Sequence, residues 1–208
     1  MFYVFLAMAA LIALTQWNYS KSIRELFYAV INVRKLREIL REEIVLTSRA
    51  SQIMMVLAQL SVAMFGYLFV TYYDISLFGI NLSGFLLYVL ILTFNIFFYF
   101  VKISVTYLLK FFFKGDYSLT EYEFNYKLLF KVAGLGLFPI SLLIAYSPLL
   151  FESPLFYLGI GLIVASALWI WARGWLNAMS NRISIVYIIL YLCTLEILPV
   201  AVLLKVVG

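Results

Sequence analysis

Six runs of apolar residues mark the chain, at 2–17, 52–73, 84–109, 126–146, 155–172 and 184–207. Several approach or exceed the ~20 residues that a helix needs to cross a bilayer core. They are continuously apolar, unlike the alternating segments of about ten residues that build a membrane β-barrel. The pattern predicts an all-α fold: a polytopic membrane protein with six transmembrane helices in a single domain, residues 1–208. The first run is short for a crossing, but its uncharged start argues against a cleaved signal peptide.

The longest interval between runs, 18–51, has a helical pattern of its own. Ser22 and Glu25 have the spacing of a capping box, which would satisfy orphan amides at a helix start. Ile23, Leu26, Phe27 and Val30 form one apolar stripe, and Val33, Leu36, Leu40 and Ile44 a second, rotated by roughly a quarter turn. The offset predicts a bend near Asn32 and an amphipathic helix pair over about 22–49. The polar faces of the pair carry Arg34, Arg37, Glu38, Arg41, Glu42 and Glu43. Such a pair can lie in the headgroup layer with its cations near anionic lipid. Its mixed charges also suit a docking surface for a partner, or a site for an anionic headgroup.

Charge sets the threading. Lys21, Arg24, Arg34, Lys35, Arg37, Arg41 and Arg49 lie between the first two runs. Lys110, Lys114, Lys127 and Lys131 flank the connection after the third, and Arg173 and Arg182 follow the fifth. The connections at 74–83 and 147–154 have no lysine or arginine. By the positive-inside rule the basic connections are cytoplasmic, so six spans place both termini outside. The net charge of +5 is then a consequence of topology, and no nucleic-acid partner is needed to explain it. Composition agrees: 66% of residues are hydrophobic and 12% charged, against about 25% charged in soluble domains. The lone Cys193 rules out an intrachain disulfide. The absence of histidine removes the commonest metal ligand and general base. No metal, cofactor or catalytic set is expected.

The polar positions inside the runs are few. Glu196 lies within the last run with Pro199 three residues on, and an ionisable group at membrane depth is a functional-site hypothesis by default. Pro199 leaves the Leu195 carbonyl without its helical partner, and Pro139 does the same for Leu135. Asn95 lies at a similar depth, ~15 Å in from the outer end of its span. Glu196, Asn95, Pro139 and Pro199 therefore form a candidate intramembrane polar site, with Glu196 facing the bundle interior. Lys102 lies close enough to a span end to snorkel to the interface, and no tight Lys102–Glu196 salt bridge is expected. Gly134 and Gly136, Gly159 and Gly161 with Ala165, and Ala58, Ser61 and Gly66 mark positions where helix backbones can approach closely.

Four motifs occur in order: Leu-Arg-Glu-Ile-Leu-Arg-Glu-Glu at 36–43, Glu-Tyr-x-Phe-Asn at 121–125, Gly-x-x-Leu-Phe-Pro at 134–139 with Ala145-Tyr146, and Leu-Glu-Ile-Leu-Pro at 195–199. With them the chain resembles DUF4271, a domain-of-unknown-function family of Bacteroidota. Glu43, Glu121, Asn125, Pro139, Glu196 and Pro199 are the positions that make it recognisable. The resemblance implies a multi-pass protein of the bacterial inner membrane and assigns no activity. The expected role is a non-catalytic inner-membrane subunit or scaffold of an envelope-biogenesis assembly, with the lipid bilayer and other membrane proteins as partners. The alternative is a small transporter, flippase or lipid-handling protein that uses Glu196. Opposed orientation of the two halves would suit that alternative, although the halves show no sequence self-similarity.

Overall fold

The structure, a computed structural model, describes residues 2–31, 49–74, 84–112, 117–147 and 152–180. Five helices account for nearly all of them: α1 (Phe2–Ile31), α2 (Arg49–Tyr72), α3 (Phe85–Phe112), α4 (Tyr117–Tyr146) and α5 (Glu152–Ser180). Four contain apolar stretches long enough to cross a membrane: Ser51–Tyr72, Phe85–Leu108, Glu123–Tyr146 and Ser153–Arg173. The apolar part of α1, Phe2–Trp17, is shorter. Helices suit these stretches because hydrocarbon offers no partner to a backbone amide, so every bond must close within the segment. Hydroxyls inside the helices follow the same rule. Ser61 Oγ donates to the Leu57 carbonyl at 2.9 Å, and Thr106 Oγ1 to that of Lys102 at 2.9 Å.

Contacts between helices fix their directions. Phe5, near the start of α1, packs on Phe138 and Tyr146 near the end of α4. Lys110 near the end of α3 meets Glu123 near the start of α4, and Tyr99 meets Phe130. Arg173 near the end of α5 meets Asn125 near the start of α4, whereas Phe156 packs with Ile140 and Ile144 near its end. Thus α1, α3 and α5 run one way and α2 and α4 the other. Among the described residues, one end of the bundle gathers cations such as Lys110, Lys127 and Arg173, and the opposite end gathers rings such as Phe69, Tyr72, Tyr73 and Phe156.

The centre belongs to α2 and α4. Of their apolar windows 44% is buried, against 11% for α3 and 17% for α5, so the latter two are peripheral among the described helices. Phe65, Leu137, Ile140, Ile144 and Phe156 join α2, α4 and α5. Phe5, Ala63, Met64 and Tyr88 join α1, α2 and α3. Two glycines allow this packing. A methyl group on Gly134 would lie 2.4 Å from the Ala58 Cα, and one on Gly159 would lie 2.3 Å from the Phe65 ring. Gly136 faces Leu162 instead, and Gly161 has open space around it, so it marks no contact between described helices.

One expectation needs correcting. Ser22 and Glu25 do not open a helix, because α1 continues without interruption from Phe2 to Ile31. Nothing between Trp17 and Ser22 breaks a helix, neither proline nor glycine, so the apolar first run simply propagates into the polar segment. Residues 32–48, with the second stripe and the charged positions Arg34 to Glu43, lie outside the described residues, as do 181–208 with Glu196 and Pro199.

Candidate functional site at the basic end of the bundle

Alternating helix directions bring the end of α1, the start of α2, the end of α3, the start of α4 and the end of α5 to one level. There α4 supplies the stripe Glu123, Lys127 and Lys131, spaced four residues apart and therefore neighbours on one face. Asn125 lies on the opposite side of the same helix. Of the other helices, α2, α3 and α5 reach α4 at this level, and α1 is tied to α5.

Arg173 of α5 is the widest tie. Its Nη1 donates to Asn125 Oδ1 at 3.0 Å, and its Nη2 donates to the Val30 carbonyl of α1. The guanidinium carbon lies 5.4 Å from the centre of the Trp169 ring, within cation–π range. A planar fork with separate donors can hold two acceptors from different helices at once, which an ammonium group does less well. Asn125 is buried at 6% exposure, so its amide oxygen depends on this bond.

Lys131 joins α4 to α2. Its Nζ donates to Ser51 Oγ at 2.5 Å, with the two residues 4% and 2% exposed. Gly134 stands opposite Ala58. From that level Ser51 is seven residues, ~10 Å, toward the basic end, while Lys131 is only three residues, ~4.5 Å, along. The lysine stem therefore stretches along the helix toward its N-terminus, the direction in which helical side chains lean. The ammonium group snorkels between two helices rather than out to water.

Glu123 joins α3 to α4. It pairs with Lys110 of α3 and, at 2.5 Å, with Lys127 one turn along its own helix. All three side chains are partly exposed. Nearby, Lys102 of α3 places its Nζ 3.9 Å from the centre of the Tyr126 ring, and Tyr126 stacks with Tyr99 at 6.3 Å. Lys102 thus places a cation over an aromatic face of α4.

The residues named from sequence for an intramembrane site are only partly visible. Asn95 is half-buried on α3, and Pro139 is exposed on α4, which runs through it as one continuous helix. Glu196 and Pro199 lie outside the described residues, so the expectation of no tight Lys102–Glu196 salt bridge falls there too. Among the described residues no cluster of three or more histidine, cysteine, aspartate or glutamate side chains could hold a metal. Gln59 Oε1, Tyr88 Oη and Ser141 Oγ are buried without a hydrogen-bond partner among the described residues, on three different helices. Sequence reasoning missed two ties: Ser51 as the partner of Lys131, and Asn125 as the partner of Arg173. Asn125 carried a signal through its place in the 121–125 motif, and the lysine stripe through its four-residue spacing.

A family model described as Domain of unknown function (DUF4271) matches residues 1–207, and the chain belongs to that family. No curated protein and no solved structure matches it.

Proposed function

We propose that this protein is a non-catalytic integral subunit or scaffold of an envelope-biogenesis assembly in the inner membrane of Bacteroidota. The carrying observation is that the polar side chains at the basic end bond helix to helix. Arg173 links α5, α4 and α1, Lys131 links α4 and α2, and Glu123 links α3 and α4. Such a frame favours fixed helix positions, as a docking platform requires. In this reading the basic end is cytoplasmic, the run at 184–207 supplies a sixth span, and both termini are periplasmic. The polar end of α1 and the charged segment at 32–48, with Arg34, Arg37, Glu38, Arg41, Glu42 and Glu43, present the docking surface.

One observation favours the second reading, a small transporter, flippase or lipid-handling protein. Lys131 is an ionisable group buried in an apolar helix, and such groups mark ion and substrate paths. Glu196 would be the acid of that path. Extraction in mild detergent followed by affinity purification separates the two readings. Stoichiometric membrane-protein partners are expected from a subunit. A lone chain that moves ions or lipid when reconstituted into vesicles would contradict the scaffold.

A further inference from the structure

Gln59 is buried at 8% exposure in the apolar stretch of α2, and its Oε1 has no hydrogen-bond partner among the described residues. An amide oxygen in an apolar setting is costly to leave unpaired, so this one calls for a donor. A contact seven residues on fixes its direction. Gly66 lies on the same face of α2, since seven residues are nearly two turns. A methyl group on Gly66 would meet the Ile91 side chain of α3 at 3.3 Å. Gln59 therefore turns toward α3. Asn95, half-buried, lies one turn after Ile91 and turns back toward α2. The helices are antiparallel, so Gln59 and Asn95 are offset in depth by three residues, ~4.5 Å. A single water can bridge two amides offset by that much.

The seam around them is polar in one direction only. Tyr99, Lys102 and Thr106 lie four, seven and eleven residues after Asn95, on the same face of α3, and lead to the basic end. On α2, Gln52 lies seven residues before Gln59 on the same face, and it is exposed. The opposite face of α3 turns Phe94, Phe97, Phe100 and Val101 outward. Toward the other end the seam closes, because Ile91 and Leu92 pack on the cluster of Phe5, Ala63, Met64 and Tyr88. Polar side chains within a membrane span face the bundle interior or a water-filled cavity.

We propose that water enters the seam between α2 and α3 from the basic end and reaches Gln59 and Asn95, stopping at the cluster around Met64 and Tyr88. Water donates to Gln59 Oε1 and so satisfies the buried amide. Gln52 stands at the mouth. The seam is then a half-path across the apolar layer, open to water at one end and dry at the other. It goes beyond the scaffold reading and holds whichever side of the membrane the basic end faces.

The test is cysteine reactivity in a Cys193→Ser background, in opened membranes that give a small water-soluble methanethiosulfonate access to both sides. Gln59→Cys and Asn95→Cys should be modified, more slowly than Gln52→Cys at the mouth. Phe97→Cys, which turns outward near the depth of Asn95, should stay unmodified, as should Met64→Cys inside the closing cluster. If a cysteine variant fails to fold, hydroxyl-radical footprinting of the unaltered chain in vesicles gives an independent reading. Met55, one turn from Gln59 on the seam side of α2, should be oxidised, and Met54 and Met64, 1% and 0% exposed, should not. Gln59→Cys and Asn95→Cys as inert as Phe97→Cys, Phe97→Cys as reactive as they are, or Met55 as resistant as Met64 would overturn the proposal.

Discussion

A methyl group at position 134 would lie 2.4 Å from the Ala58 Cα and 2.5 Å from its Cβ, so a side chain there must push two central helices apart. Gly134→Ala should therefore cost about 1–3 kcal/mol, the range for overpacked cores. Gly161→Ala is the matched control, because nothing lies within 4 Å of its missing Cβ. It should be neutral or stabilising by up to about 1 kcal/mol, the difference in helix propensity. Unfolding in mixed micelles measures both. The two glycines of α5 could not be ranked from sequence. Gly159 and Gly161 stand about 200° apart on a helix, so only one of them can face α2. Lys131 allows a further prediction at this scale. Lys131→Met removes a buried ammonium whose described partner is a hydroxyl, and stability should be unchanged or raised by about 1–4 kcal/mol. A marked loss of stability in that variant would mean that the Lys131–Ser51 bond is essential to the bundle.

Between elements, the Arg173–Asn125 contact is the one that a conservative change breaks most informatively. Arg173→Lys keeps the charge but loses the fork that reaches Asn125 and the Val30 carbonyl together. Leaving the buried Asn125 amide unpaired should cost about 1–3 kcal/mol. In a double-mutant cycle with Asn125→Ala the effects should be clearly non-additive, since the residues share one bond. Additive losses would show that the contact does not couple α5 to α4. Glu123→Gln should have a smaller effect, on the order of 1 kcal/mol, because its ion pairs are partly exposed. The apolar runs located four membrane-length helices to within a few residues, because hydrocarbon burial demands an unbroken apolar stretch. They located the helix ends less well. Helix α4 begins at Tyr117, in polar sequence, and α1 continues to Ile31. Beyond the hydrocarbon a helix needs only the absence of a breaker, which hydropathy does not register. The polar ties were illegible for a related reason. A cation near a span end looks the same in sequence whether it points to water, as Lys131 and Arg173 could have done, or into a neighbouring helix.

For the whole molecule, the described helices alternate in direction and collect their cations at one end, as lysine and arginine placement along the chain implied. The proposal that this end is cytoplasmic joins the frame, the docking segment and the scaffold role into one account. Cysteine accessibility in intact cells, in a Cys193→Ser background, tests it most directly. Ser76→Cys, in a connection without lysine or arginine, and Ser153→Cys, at the start of α5, should react with an impermeant maleimide from outside. Ser22→Cys and Ser118→Cys, near the basic end, should react only after the membrane is opened. Labelling of Ser118→Cys in intact cells would contradict the account.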